Sequence, residues 1–139
     1  MKRIAFTLLA SICFLVSCGD QARMEITPNN ITVDCGEQDL TFHSNVQFAD
    51  ITIFIYTDSD SEGNPSCQET ARDYTDGYLT ICGEWYKVEG HRYSDENKEI
   101  KVHLAENVEG TRKLSFKVFN YDKNYESSQI VTIIQSGAE

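Results

Sequence analysis

The pattern most typical of a binding site in this sequence is an acidic run that begins at Asp58. Counted from that residue, acids occupy positions 1, 3, 5 and 12, as Asp58, Asp60, Glu62 and Glu69, and Gly63 occupies position 6. This is the spacing of a calcium-binding loop, in which alternating oxygen atoms surround the cation and a glycine makes the sharp bend. Calcium is therefore the one cofactor that we predict from the residues.

Three features of the same region count against calcium. The run follows a predicted strand rather than a helix, Pro65 replaces the aliphatic residue that normally pairs with a second loop, and no second loop exists. The alternative is an acidic, solvated insertion over residues 58–76 of a protein that is already rich in acids. Within this insertion, the residues from Gln68 to Asp73 are compatible with a short helical turn. An insertion of this length is more often functional than structural.

Aromatic side chains offer a second kind of chemistry, because an exposed ring can stack on the apolar face of a sugar. Tyr121 and Tyr125 lie in a polar segment that we interpret as a turn, and a turn cannot bury both rings. Trp85, Tyr86 and Tyr93 are further candidates for ligand binding. For Trp85, the single tryptophan, the favoured interpretation is a core residue packed between two sheets.

Residues for catalysis do not cluster in this sequence. His43, His91 and His103 are scattered, and His103 falls on the polar face of a predicted strand. The sequence has no Gly-x-Ser-x-Gly elbow, zinc-protease helix or phosphate-binding loop. We therefore expect a protein that is not an enzyme and has no catalytic residues.

Residues 1–17 have the pattern of a signal peptide. Lys2 and Arg3 precede an apolar run from Ile4 to Val16, which is too short to cross a bilayer as a permanent helix. The leader is expected to be removed, so it is excluded from the folded domain.

The end of this leader, Leu15-Val16-Ser17-Cys18, resembles the lipobox of bacterial lipoproteins. The resemblance implies cleavage before Cys18 and acylation of that residue. Several acyl chains on one cysteine make a stable membrane anchor. The alternative is an ordinary secretory signal with Cys18 unmodified. We predict a lipid-anchored protein of the bacterial cell envelope, in the outer membrane, and leave open whether it faces the surface or the periplasm.

The charge of the chain limits its partners. With 12 basic and 22 acidic residues, the formal net charge is −10, and loss of the leader removes two bases and no acid. A strongly acidic chain is a poor partner for nucleic acid, so none is expected. The acids are spread along the sequence, which favours a solvated surface over a dedicated acidic site.

The cysteines allow one disulfide in an exported domain. Cys13 leaves with the leader and Cys18 carries the lipid, so Cys35, Cys67 and Cys82 remain. The two that are closest in sequence, Cys67 and Cys82, are the predicted pair, and Cys35 is left over. Three thiols remain the alternative.

Alternation of apolar and polar residues with a period of two identifies residues 25–139 as a β-sheet domain. Residues 18–24 have no apolar pattern and are predicted to form a polar tether. In the stretch from Ile100 to Leu104, for example, every second side chain is apolar. Predicted strands lie within 24–33, 40–44, 51–56, 78–82, 85–88, 100–104, 114–118 and 131–135. Seven or eight short strands joined by turns predict an all-β fold, an immunoglobulin-like antiparallel β-sandwich.

The closing part of the chain combines a strand, an Asn-containing turn, an Arg at the start of the next strand and a last strand that ends in Ile-x-Gln-x-Gly. The residues of this pattern are Ile100, Val102, Leu104, Asn107, Gly110, Arg112, Leu114, Phe116, Ile133, Gln135 and Gly137. The pattern resembles that of BACON domains (Bacteroidetes-associated carbohydrate-binding, often N-terminal). Ile31–Val33 with Gly36, and the segment Trp85–Val88, resemble the family's first strand and its aromatic middle strand. The insertion at 58–76 departs from the family's compact spacing.

The resemblance implies an exported immunoglobulin-like domain of a Bacteroidetes bacterium that binds carbohydrate or a glycoprotein such as mucin. A fold does not fix a function, so a second hypothesis is kept. In that hypothesis the chain is an accessory lipoprotein that contacts another envelope protein, through an edge strand or the 58–76 insertion, and has no glycan ligand.

Overall fold

The computed structural model describes residues 23–54, 67–122 and 125–138, and these ranges form ten strands and no α-helix. The strands are β1 (Ile26–Thr27), β2 (Asn30–Val33), β3 (Gln38–Ser44), β4 (Asp50–Phe54), β5 (Glu69–Thr75), β6 (Tyr78–Gly83), β7 (Tyr86–His91), β8 (Glu99–Leu104), β9 (Arg112–Asp122) and β10 (Tyr125–Gln135). The predicted all-β class is confirmed. The described ranges contain no helix long and apolar enough to cross a membrane.

The strands form two sheets. One has six strands in the order β1-β3-β8-β7-β6-β5, and the other has four in the order β2-β10-β9-β4. Neighbouring strands are antiparallel, except that β2 runs parallel to β10. Pro28 lies between β1 and β2, which join different sheets at their edges, so the segment predicted as a strand within 24–33 is two strands. The predicted sandwich is therefore correct, with more strands than the seven or eight expected.

The core lies between the sheets and follows from the alternation in the sequence. Leu114, Phe116 and Val118 of β9 are fully buried, and the ring of Phe116 packs edge-to-face on Phe42 of the opposite sheet at 6.1 Å. Each large apolar side chain buried in this way contributes about 1.5–3 kcal/mol to stability. The hairpin of β9 and β10 supplies most of the inner face of the smaller sheet.

The short helical turn expected at Gln68 to Asp73 is wrong, because this part of the predicted insertion is the edge strand β5. All of its side chains except that of Arg72 are exposed, so it lacks the apolar alternation that identifies a half-buried strand. Its hairpin with β6 is closed by Asp76 and Gly77, both with positive φ (53° and 77°). An Asp-Gly pair is a strong hairpin signal, and the sequence contained it.

Candidate functional site

Two of the predicted ligand-binding residues lie in the core. Trp85 and Tyr86 are 7% and 3% exposed, and their rings pack edge-to-face at 5.4 Å. The Tyr86 hydroxyl donates a hydrogen bond of 2.6 Å to the carbonyl oxygen of Cys67. The alternation of β7 turns Tyr86 and Val88 inward. A ring buried in this way cannot stack on a sugar, so the core interpretation of Trp85 is confirmed and the ligand role of Tyr86 is wrong.

The other predicted tyrosines belong to the hairpin of β9 and β10. Tyr121 lies in strand β9, opposite Glu126 in β10, and not in a turn as predicted. It is 54% exposed, which agrees with the expected surface position. Tyr125 begins β10, and its side chain lies outside the described residues.

The predicted calcium ligands are mostly outside the part of the chain that the structure describes. This holds for Asp58, Asp60 and Glu62, while Glu69 begins β5 and accepts a hydrogen bond of 2.8 Å from Arg72. Within the described ranges, no group of three or more His, Cys, Asp or Glu side chains could hold a metal ion. Calcium binding remains a prediction. The predicted lipidation site, Cys18, also lies outside the described residues, so lipidation remains a prediction.

The predicted disulfide is corrected by the structure, in which Cys67 and Cys82 are thiols. Cys67 is buried, and its sulfur donates a hydrogen bond of 2.9 Å to the carbonyl oxygen of Lys113. Cys82 follows Ile81 in β6, whose side chain is in the core, so that of Cys82 points to the outer face of the sheet. The two side chains therefore point to different sides of the six-stranded sheet.

The tail residues that resemble the BACON pattern converge at one end of the sandwich. The amide nitrogen of the Asn107 side chain donates to the carbonyl oxygens of Gly110 (2.9 Å) and Ser136 (3.1 Å), and its oxygen accepts from the backbone of Glu109 (3.1 Å). A Cβ atom at Gly137 would lie 2.5 Å from the Glu109 carbonyl oxygen, so only glycine fits there. These residues close the loop between β8 and β9 against the C-terminus.

Gln135 continues this arrangement from strand β10. Its fully buried side chain donates to the carbonyl oxygens of Gly36 (3.0 Å) and Ala105 (3.1 Å) and accepts a hydrogen bond of 2.9 Å from Arg112. The Arg112 guanidinium also donates to Ala105 (2.7 Å) and lies 4.1 Å from the ring centroid of Trp85. We call Asn107, Arg112, Gln135 and Gly137 the terminal lock.

An open groove of about 800 Å³ adjoins the terminal lock. Its lining includes Glu84, Glu106 and Glu109 beside Arg112. Burial lowers the pKa of the Arg112 guanidinium, and the charge of Glu109 partly opposes this effect. Among the described residues of the lining, Trp85 is the only aromatic one, and it is buried, so this part of the groove offers no ring for stacking.

A second cluster lies where the edge strands β5 and β4 of the two sheets meet. Arg72 and Tyr74 of β5 are paired in register with Ile81 and Leu79, which are fully buried, so both side chains point toward the second sheet. Asp50 of β4 accepts hydrogen bonds from Arg72 (2.9 Å) and from the Tyr74 hydroxyl (3.1 Å). The contact links the two edge strands across the side of the sandwich.

Arg72 is held on several sides. It also donates to the carbonyl oxygen of Ile51 (2.9 Å), and its Nη2 atom lies 2.8 Å from a carboxylate oxygen of Glu69. Partial burial by itself would lower the pKa of Arg72, but the hydrogen bonds and charges of Glu69 and Tyr74 raise it well above the ordinary value. Arg72 is therefore a permanently charged cross-link whose acidic partners are already in place.

Arg92 occupies the turn after β7 and lies beside the same tyrosine. Its guanidinium carbon is 4.6 Å from the ring centroid of Tyr74 and 5.2 Å from that of Tyr93. Its Nε atom donates a hydrogen bond of 2.6 Å to the carbonyl oxygen of Ala49. A guanidinium held over aromatic faces gains cation–π energy of about 0.5–1 kcal/mol per ring at exposed sites.

The backbone of this turn is fixed at two points. The amide of Arg92 donates to the carbonyl oxygen of Gly77 (2.8 Å), and the amide of Tyr93 donates to that of Phe48 (2.8 Å). Tyr93 has a φ of 54°, a left-handed conformation that is uncommon for a tyrosine. Residues with such backbone angles cluster at functional sites.

Phe119 and Tyr121 extend the cluster along β9. Phe119 opposes Asp50 in register, its carbonyl oxygen accepts a hydrogen bond from Ala49 (2.7 Å), and its ring packs edge-to-face on Tyr121 at 5.4 Å. We call Tyr74, Arg92, Tyr93, Phe119 and Tyr121 the aromatic band. The exposed tyrosines in the described ranges, Tyr74 (44%), Tyr93 (55%) and Tyr121 (54%), all belong to it.

Sequence reasoning identified Tyr93 and Tyr121 as candidates but missed Tyr74 and Arg92. The Asp76-Gly77 signal could have found Tyr74, because a two-residue hairpin turn makes the preceding segment a strand. Nothing in the local sequence predicts that Arg92 lies between two rings, since one of them comes from another strand.

Comparison with known proteins does not establish a family for the chain. No protein-family model matches it, and no curated protein matches it. Among solved structures, the chain is similar to the NMR structure of a protein from Bacteroides thetaiotaomicron, with 14% identity and a TM-score of 0.40 over 86% of this chain and 91% of the other. A likeness of that strength carries no argument about function, and the resemblance to BACON domains remains a prediction.

Proposed function

We propose that this chain is a BACON-like domain of a Bacteroidetes envelope lipoprotein that binds carbohydrate through its aromatic band. The observation that supports binding is the pair of exposed tyrosines, Tyr74 and Tyr93, that both contact the Arg92 guanidinium, with the exposed Tyr121 further along β9. Exposed rings can stack on the apolar faces of sugars, and the charged groups beside them can orient hydroxyl groups.

The rings are held before a ligand arrives, which lowers the entropic cost of binding. The Tyr74 ring is held by its hydrogen bond to Asp50, the Tyr93 ring by its contact with the Arg92 guanidinium, and the Tyr121 ring by packing on Phe119. The proposed role needs no catalytic residue. The ligand is a glycan or a glycoprotein, and calcium is an optional cofactor at the acidic run from Asp58.

The proposed lipid anchor at Cys18 would place the band at a membrane surface, with the outer membrane as its location. Mass spectrometry of the natural product tests this part of the proposal. A mature chain that begins with acylated Cys18 supports it, and an uncut leader with an unmodified cysteine would refute it.

The binding proposal is tested on a glycan array with the full-length protein purified in detergent. Tyr93→Asn removes one ring, and asparagine tolerates the left-handed backbone at this position, so the fold should survive. Tyr121→Thr removes a second ring and keeps a residue that favours strands. We expect each change to weaken glycan binding about five- to a hundredfold, since stacking on one ring contributes about 1–3 kcal/mol in comparable sites.

Val108→Ala is the matched control, because Val108 is 73% exposed but lines the groove at the terminal lock and not the band. It should leave binding unchanged. If no glycan binds the wild-type protein, the accessory-lipoprotein hypothesis replaces this one, and partner capture from envelope extracts becomes the next measurement.

A further inference from the structure

We infer that the aromatic band selects sugars that carry a carboxylate, and that Arg92 is the residue that makes the selection. The inference rests on the proposed function and adds the charge of the ligand to it. A neutral glycan would use only the tyrosine rings, whereas an acidic sugar would also meet the guanidinium between two of them.

The two arginines at this surface have different partners. Arg72 forms ion pairs with Asp50 (2.9 Å) and Glu69 (2.8 Å), so its charge is neutralised within the protein. Arg92 forms no ion pair with any residue in the described ranges. The one hydrogen bond that its side chain makes there uses Nε, which leaves both terminal amino groups available to a ligand.

The orientation of Arg92 is also set in advance. Contacts with Tyr74 and Tyr93, at 4.6 Å and 5.2 Å, limit the motion of the guanidinium plane, and the hydrogen bond to Ala49 holds its inner edge. The planar fork of a guanidinium matches the two oxygens of a carboxylate, which makes a bidentate pair. Because the rings lie beside the fork, one acidic sugar could stack and pair at the same time.

The charge of the whole chain makes this position unusual. With 22 acidic and 12 basic residues, the protein repels anions at long range. An anionic ligand therefore needs a local cation that is not already paired, and Arg92 meets that requirement. By contrast, the exposed Lys101 on the outer face of the six-stranded sheet makes no cation–π contact with any ring in the described structure.

The first test needs no variant. Calorimetric titrations compare oligogalacturonate with its methyl ester, and sialyllactose with lactose, which separates uronic from sialic acids as the source of the carboxylate. One charge-assisted pair at a partly exposed site predicts that the acidic member of at least one pair binds about tenfold tighter or more. Equal binding of the acidic and neutral members would overturn the inference and leave the proposed function intact.

The second test assigns the selection to Arg92. Arg92→Gln should abolish the preference for the acidic member, whereas Lys101→Gln, which makes the same change in charge elsewhere on the surface, should keep it. Circular dichroism checks that both variants are folded. A folded Arg92→Gln protein that still prefers the acid would refute the role of Arg92. Failure of the wild-type protein to bind any of the four sugars would instead count against the proposed function itself.

Discussion

The terminal lock and the aromatic band both contain an arginine beside an aromatic side chain, but the arginine has a different role in each. In the lock, Arg112 lies 4.1 Å from the ring centroid of Trp85, and in the band Arg92 lies 4.6 Å from Tyr74 and 5.2 Å from Tyr93. In the lock the ring is buried, and in the band both rings are exposed. An arginine stacked on an aromatic ring therefore does not by itself mark a binding site.

The difference lies in the partners of each guanidinium. Arg112 donates to Gln135 and Ala105 inside a network of buried groups, so its interactions are internal. The Arg92 side chain is half-buried and makes one hydrogen bond within the described residues, through Nε, so its terminal amino groups have no hydrogen-bond partner there. The comparison teaches that the number of unsatisfied donors, more than the stacking itself, separates a structural arginine from one that can take a ligand.

The largest effect is expected from Gln135→Leu in the lock. The change keeps the volume close but removes three hydrogen bonds from a side chain that is fully buried. Buried groups left without partners cost about 1–3 kcal/mol each, so we expect the free energy of unfolding to fall by about 3 kcal/mol. Urea denaturation measures this free energy of unfolding. Glycan binding by the fraction that remains folded should be unchanged. A decrease of less than about 1 kcal/mol in the free energy of unfolding would contradict the stabilising role of the Gln135 hydrogen bonds.

A direct comparison of Arg112→Gln with Arg92→Gln should separate stability from binding. Arg112→Gln removes two hydrogen bonds and the contact with Trp85, and is expected to cost about 2 kcal/mol of stability. Arg92→Gln is expected to cost about 1 kcal/mol, because it removes one side-chain hydrogen bond where Arg112→Gln removes two, and its ring contacts are with exposed tyrosines. Thermal or urea unfolding gives both values. Equal losses of stability would show that the two arginines do not differ in the way described.

The smallest effect is a dependence of stability on pH that arises from Tyr86, the buried residue next to Trp85. Burial, more than any nearby charge, raises the pKa of Tyr86 above its ordinary value of 10.0. The folded protein therefore keeps the Tyr86 proton when the unfolded chain loses it. Stability from this group is complete below pH 10 and falls as the pH rises further, by about 1 kcal/mol per pH unit.

Urea titrations between pH 9 and pH 11 test this expectation. Tyr86→Phe should be less stable than the wild type at pH 9, because it loses the hydrogen bond to Cys67, and should show a shallower decline above pH 10. Tyr121→Phe, which removes the hydroxyl of an exposed ring in the aromatic band, is the matched control and should keep the wild-type slope. An unchanged slope in Tyr86→Phe would refute the assignment.

Much of the fold could be predicted where a strand has one buried face. Leu114, Phe116 and Val118 alternate with polar residues, and all three are buried as expected. The edge strand β5 could not be found in the same way, because its side chains are mostly exposed and carry no apolar period. Edge strands are held by their backbone ladder, which leaves little trace in side-chain chemistry.

The candidate site was predictable only in part. Tyr121 was expected at the surface and is there, although in a strand and not in a turn. Tyr86 looked like a ligand residue because it follows Trp85 in an aromatic segment, yet the alternation of β7 turns it inward. The predicted pairing of Cys67 with Cys82 failed for a related reason, since proximity along the chain does not tell which face of a sheet a side chain occupies.

The sequence by itself determined that this chain forms an all-β domain, because a period of two in apolar residues can be satisfied only by a pleated strand with one buried face. It also marked the residues of the terminal lock, because they match the BACON pattern that the closing part of the chain resembles, although the contacts they make are with residues far away in the sequence. Only the tertiary structure decided which arginine donates into the buried network of the lock and which lies between two exposed rings. That distinction depends on strands far apart in sequence: Arg92 meets Tyr74 only because β5 lies at the sheet edge beside the turn after β7.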